Sequence, residues 1–160
     1  MAGVRPLATG DIPAVAQLFS RVYPEKRWTS AAECEAYFHK IFFANPWVTP
    51  QLPSWVATEG ARAVGFIGVV PRPMRLRGRA LEAAVVTQLM VEPEKRHGVV
   101  AAQLLRKALA GPQTLTISDG ANESSRRMWE ALGGLTSTLY SLQWRRLLRP
   151  AQSTLPAGWR

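Results

Sequence analysis

The spacing of apolar and polar positions separates the chain into helical and extended stretches. Val4 to Leu7 predicts a short first strand. Ile12, Val15, Ala16, Leu18 and Phe19 then recur at spacings of three and four, the period of one helix face. Asp11 is an N-cap type ahead of them, Pro13 is tolerated in a first turn, and Pro24 ends the pattern. A second helix opens at Ser30, with Glu33 completing a capping box. Its apolar face is Cys34, Tyr37, Phe38, Ile41 and Phe42. Residues 45–54, NPWVTPQLPS, predict a proline-rich loop.

Beyond that loop the period changes to two. Ser54 to Thr58 and Ala63 to Val70 predict strands on either side of a Glu59–Gly60 turn. A hairpin turn around Gly78 leads into a strand from Leu81 to Val91. Gly98 to Leu109 predicts a helix and Thr114 to Ser118 a strand. Asn122 to Leu132 predicts a helix stopped by Gly133 and Gly134, and Leu135 to Trp144 a last strand. Hairpin strands followed by strand–helix–strand units predict an α/β fold: a mixed, mostly antiparallel central sheet with helices on both faces. One domain is expected over residues 1–147, with 148–160 a tail or linker.

Composition narrows the picture. With 47% hydrophobic and 19% charged residues in 160, the chain can build a real core. No apolar run approaches the roughly 20 residues of a bilayer span, and MAGVRPLATG lacks the apolar stretch of a signal peptide. A cytoplasmic protein without membrane association is expected. The single Cys34 excludes an intramolecular disulfide and belongs to the apolar stripe, so it reads as a core thiol rather than a nucleophile. One cysteine and two distant histidines, His39 and His97, offer no metal-ligand cluster.

The net charge of +9 fits either a polyanion-binding surface or a solvated arginine-rich one. Its one local concentration is PRPMRLRGR, 71–79. There Met74 and Leu76 alternate with Arg75, Arg77 and Arg79, which predicts an apolar face turned inward and a basic rim turned outward. No aromatic residue interleaves those arginines, so nucleic acid is the least favoured partner.

Three stretches, in this order and spacing, resemble the GNAT-type N-acetyltransferase family. VRPLATGDIPAVAQLF is similar to the family's opening strand and helix. QLMVEPEKRHGVVAAQLL is similar to its central strand, pyrophosphate loop and following helix, and ANESSRRMWEALGG to its late helix. The resemblance covers Val4 to Trp144 and implies acetyl-CoA as co-substrate and an amine as acceptor. It implies that backbone groups of Leu89, Met90 and Val91 pair with the pantetheine arm. Arg96, His97, Gly98, Val99, Val100 and Ala101 would receive the pyrophosphate at a helix N-terminus, with Lys95 or Arg96 adding charge. Asn122 and Trp129 would line the cofactor from the late helix.

The chain departs from the family pattern at informative places. The family's loop reads Arg/Gln-x-x-Gly-x-Gly/Ala. Aligned on Arg96, its first glycine position is Val99, where a β-branched side chain would resist φ > 0. The slot of the family's proton-donating tyrosine is Trp129, whose indole N–H is no usable acid, so packing is expected there. The aromatic residue after the helix-ending glycine is replaced by Gly134. No catalytic acid or base is assigned. Glu82 and Glu92 read as solvated, Gln88 could orient a water or a substrate, and Tyr140 is a candidate acid. The leading function is an acetyl-CoA-dependent N-acetyltransferase acting on a primary amine. The alternative is a weak or inactive acyl-CoA-binding module of the same fold. A homodimer is compatible with either.

Overall fold

The computed structural model describes residues 3–25, 28, 30–95, 99–118 and 120–140. Among the described residues nine α-helices and strands follow one another: β1 (Gly3–Pro6), α1 (Ile12–Val22), α2 (Ala31–Phe42), β2 (Trp55–Glu59), β3 (Arg62–Leu76), β4 (Arg79–Val91), α3 (Val100–Leu109), β5 (Leu115–Ile117) and α4 (Glu123–Ala131). The five strands lie in sequence order. All neighbours are antiparallel except β4 and β5, which run parallel around α3. This is the mixed sheet that the sequence predicts.

The helical stripes bury as their periods require. Ile12, Val15, Ala16, Leu18 and Phe19 of α1 are all buried, as are Cys34, Phe38 and Phe42 of α2. They pack on one face of the sheet against Val56, Phe66, Val70 and Met90. Phe38 sits at the middle of this cluster, edge-on to Phe19 and Phe66. On the other face Leu104 and Leu105 of α3 cover Ala57, Val64, Ile67 and Val86. Ser30 caps α2 by accepting from the Glu33 amide at 3.1 Å. Asp11 acts differently from a simple N-cap. Its carboxylate accepts from the Ala8 amide at 2.8 Å and holds Arg5 of β1 through two bonds of 2.6 and 2.7 Å. This clasps the strand to the helix start, and the guanidinium hydrogen bonds hold the Asp11 carboxyl below its usual range.

Three expectations are corrected. The hairpin strands are longer than the apolar run: β3 continues through Pro71 and Pro73 to Leu76, and β4 already begins at Arg79. Arg77 and Gly78 form the turn at φ 49° and 79°, the left-handed pair that a tight hairpin needs. Proline is tolerated because no β2 residue pairs with β3 beyond Ile67, which leaves the outer side of β3 an edge. Second, Met74 and Leu76 do not turn inward: they are 39% and 62% exposed on a hairpin that extends past the helices. Third, residues 135–137 are irregular and Thr138–Tyr140 is a 3-10 turn, where a strand was expected. The 141–144 part of that expected strand, and the tail, lie outside the described residues.

Candidate functional site

The site is built by an irregularity in β4. Ala84 and Val86 point to the α3 face of the sheet, and so do Leu89 and Val91. An uninterrupted strand could not place both pairs on one side. The phase changes because Gly68 pairs with Thr87 but Phe66 pairs with Met90, so two residues of β4 oppose one of β3. This is a β-bulge, and Gln88 within it takes φ 54°. Nothing in the sequence announces the bulge, since glutamine carries no turn signal.

The bulge lies where the sheet splays open. β5 pairs with β4 only from Ala83 to Val85. From Val86 to Val91 one edge of β4 has no strand beside it among the described residues. A slot of about 200 Å³ occupies this gap, lined by Thr87, Gln88 and Leu89 from β4, Asn122 and Trp129 from α4, and Tyr23 past the end of α1. Asn122 caps α4, accepting from the Ser125 amide at 2.9 Å. Trp129 is half-buried and packs with Met128 and Leu132 against the α3-side cluster. The sequence thus leads to Leu89, Asn122 and Trp129 but misses Tyr23. That residue follows Phe19 by four and packs against its ring, so its spacing marks it as a core position and not as a lining residue of the slot. The Gln88 amide donates to the Tyr37 hydroxyl at 3.3 Å, which ties the bulge to α2.

Met90 and Val91 keep their side chains in the core, so only their backbone is available at the edge. Beyond Val91 the chain makes a 3-10 turn, Pro93–Lys95, and reaches α3. Val99 is 67% exposed and precedes the helix at φ −82°. The expected strain at Val99 is therefore absent, and glycine would gain nothing there by relief of φ. Val100 and Ala101 bury their side chains against the sheet. The first intrahelical bond runs from the Gln103 amide to the Val99 carbonyl at 2.9 Å, which leaves the amides of Val100, Ala101 and Ala102 without helical acceptors. Arg96, His97 and Gly98 lie outside the described residues.

One charged residue differs from expectation. Glu92 is not solvated: it is 3% exposed and ion-paired with Arg21, at 2.9 Å, and with Arg62. The Arg21 Nε contact is off the line of a good hydrogen bond, while Nη2 of the same residue donates to the Ala63 carbonyl at 2.8 Å. The group pins α1 and β3 to the end of β4, just before the loop to α3, and is structural. Lys95 is ion-paired with Glu59 at 2.7 Å, a partly exposed pair. Glu82 is exposed, as expected. No group of metal-ligating side chains occurs among the described residues, and no described helix is long and apolar enough to cross a membrane. Nothing is described of the Tyr140 side chain.

A five-stranded mixed sheet that splays at a bulge in β4, with α3 following that strand, is an acyltransferase architecture, and the comparisons agree. A family model for the acetyltransferase (GNAT) domain matches residues 3–114. The chain belongs to the GNAT acetyltransferase family. No curated protein matches it by sequence. Among solved structures it resembles an acetyltransferase of Trypanosoma brucei, at 19% identity and a TM-score of 0.67, covering 92% of this chain and 100% of that one. It also resembles a predicted acetyltransferase of Clostridium acetobutylicum solved with acetyl-CoA, at 16% and 0.66, covering 92% and 96%. A third is the glucosamine-6-phosphate N-acetyltransferase of Arabidopsis thaliana, at 13% and 0.67, covering 92% and 99%.

Proposed function

We propose that the protein is an acetyl-CoA-dependent N-acetyltransferase acting on a primary amine. The observation that carries this reading is the unpaired edge of β4 from Val86 to Val91, which runs from the slot at the bulge towards the free amides of α3. An amide-bearing arm laid along that edge finds backbone partners as a further strand would. A diphosphate at its end meets the positive end of α3. The edge and the helix start therefore fit the co-substrate, whose chemistry is an acetyl group activated as a thioester. Acetyl-CoA complexes of the Clostridium acetobutylicum protein and of a GNAT acetyltransferase of Brucella melitensis support acetyl-CoA as the co-substrate.

The chain's own contribution is mainly position. Holding a neutral amine against a thioester converts an encounter into a local event, and this can supply a large part of the rate without a strong base. Gln88 presents an amide, not a base, and Trp129 presents no acid. Water at the polar lining of Thr87, Gln88, Ser118 and Ser125 can carry the amine's proton away.

Calorimetry with acetyl-CoA, paired with detection of CoA release over a panel of amines, tests the proposal. Heat at micromolar to millimolar acetyl-CoA together with amine-dependent release is expected, and no heat at millimolar acetyl-CoA would refute it. The second reading, an acyl-CoA-binding module without turnover, is favoured by Trp129 in the slot. Its signature is heat without release for any amine.

A further inference from the structure

We propose that the acceptor is an acidic, apolar-bearing polypeptide, held along the β3–β4 hairpin while its amine enters the slot. This rests on the acetyltransferase reading above and adds the class of its second substrate.

The first observation is charge without partners. Among the described arginines, Arg5, Arg21, Arg62, Arg126 and Arg127 are each ion-paired with a carboxylate. Arg72, Arg75, Arg77, Arg79 and Arg106 are not, and all of these but Arg106 of α3 stand on the hairpin. Its one acidic residue, Glu82, lies opposite Pro73. Arg72 instead lies over the Trp47 ring, 4.4 Å from its centroid, which braces the base of the hairpin on the 45–54 loop.

The second is an exposed apolar strip flanked by Arg72 and Arg79, with Arg75 on the reverse face of the hairpin. Residues opposite one another in an antiparallel pair share a face. Arg72, Met74 and Leu76 therefore share one with Ala83, Leu81 and Arg79. Ala83 is buried, but Met74 and Leu76 are exposed. A surface of this make-up suits a segment that carries both carboxylates and apolar side chains. The strand edge itself is protected from strand addition by Pro71 and Pro73, so recognition falls to the side chains.

The third is distance and direction. The loop to α3 follows the far end of β4, about 40 Å from the hairpin tip at ~3.3 Å per residue over 13 residues. The hairpin arginines are thus too remote for the diphosphate and stand at the opposite end of β4 from the loop to α3. From Arg79 to Gln88 is about 30 Å by the same rise. A small amine cannot touch both, whereas roughly nine extended residues can. A second copy of this chain is a poor occupant, since a two-fold contact would set these arginines against their own copies in a chain of net charge +9.

The test uses the full chain and four probes: a peptide of about twelve residues with one lysine among Asp, Glu and Leu; the same peptide with Asn and Gln for the acids; a short lysine amide; and a single-stranded DNA of about twelve nucleotides. Fluorescence anisotropy at low and moderate salt gives binding, and CoA release gives turnover. The acidic peptide is expected to bind best, to weaken with salt, and to be acetylated about tenfold more efficiently than the neutral one. An R75A/R77A/R79A variant should lose that advantage and keep its rate on the short amide. An R75K/R77K/R79K variant should retain most of it, which separates charge from folding. Equal binding and turnover of acidic and neutral peptides would overturn the proposal. So would DNA that binds as tightly as the acidic peptide. If acetyl-CoA itself gives no heat while the acidic peptide still binds through the arginines, the acetyltransferase reading falls and the docking surface stands. If acetyl-CoA binds normally and the peptides do not differ, the reverse holds.

Discussion

At the scale of single residues, Trp129 decides most. Trp129 lines the slot beside Leu89 and Asn122, where the resemblance to the family would put a thiolate-protonating tyrosine. Trp129→Phe keeps an aromatic plug and loses only a donor, so it should retain most of any turnover. Trp129→Tyr restores a hydroxyl at the same place. A gain in kcat with unchanged acetyl-CoA affinity is expected if the lost acid limits the rate, and steady-state kinetics with calorimetry reads both. No gain, with tight binding in both variants, would favour the module without turnover. Cys34 is settled by burial. It is 2% exposed in the α1–α2 cluster, and desolvation, followed by Glu35 and Glu33, pushes its thiol up to about 11. An acid group whose pKa is raised by folding contributes stability below its unfolded pKa and loses it as pH rises. Here the loss falls between the usual thiol value of about 8.5 and about 11. Alkylation of the native protein should therefore keep accelerating about tenfold per pH unit beyond pH 9. A plateau near pH 8.5 would show an exposed thiol.

At the scale of elements, most of the fold is legible because burial and period agree. The five α1 residues predicted to face the core do so, and Ser30 and Asn122 cap the helices that they precede. Legibility fails where a long-range arrangement overrides local pattern. The buried state of Glu92 depends on Arg21 and Arg62, far away in sequence, and no local signal marks a carboxylate for such a pair. The bulge at Gln88 is equally hidden, yet it gives the site its shape. Gly68, which pairs with Thr87 beside the bulge, has a packing role. A Cβ at Gly68 would fall inside contact distance of the Phe42 ring and 3.1 Å from the Thr87 carbonyl. Gly68 therefore lets α2 approach the sheet beside the bulge. Gly68→Ala should force the ring or the strand aside and cost about 1–3 kcal/mol, read from urea unfolding. It should also weaken acetyl-CoA binding, because Thr87 lines the slot. An alanine variant as stable as the parent would mean that Phe42 yields freely and that the glycine has no packing role.

At the scale of the whole molecule, the two faces of the sheet are unequally consolidated, and that asymmetry predicts where a ligand acts. The α1–α2 face is a closed aromatic cluster, with Phe19, Phe38, Phe42 and Phe66 all buried. On the opposite face α3 is anchored by Leu104 and Leu105, both fully buried, but α4 has no buried residue and meets the cluster only through the half-buried Met128, Trp129 and Leu132. Its other ties are on the surface: Arg126 and Arg127 hold Glu123, whose carboxyl they lower to about 2, and Arg126 also holds Glu130. Such a helix opens at low free-energy cost, while α1 and α2 exchange only with larger unfolding. A co-substrate seated between β4 and α4 would bind the closed arrangement alone and would stabilise it by about 2.7 kcal/mol at a hundredfold excess over Kd. Hydrogen exchange with and without acetyl-CoA should therefore show slowed exchange concentrated in α4, in Val86–Val91 and in the first turn of α3, with α1 and α2 nearly unchanged. Protection confined to α1 and α2 would place the ligand on the other face of the sheet and would remove the slot at the bulge as its site.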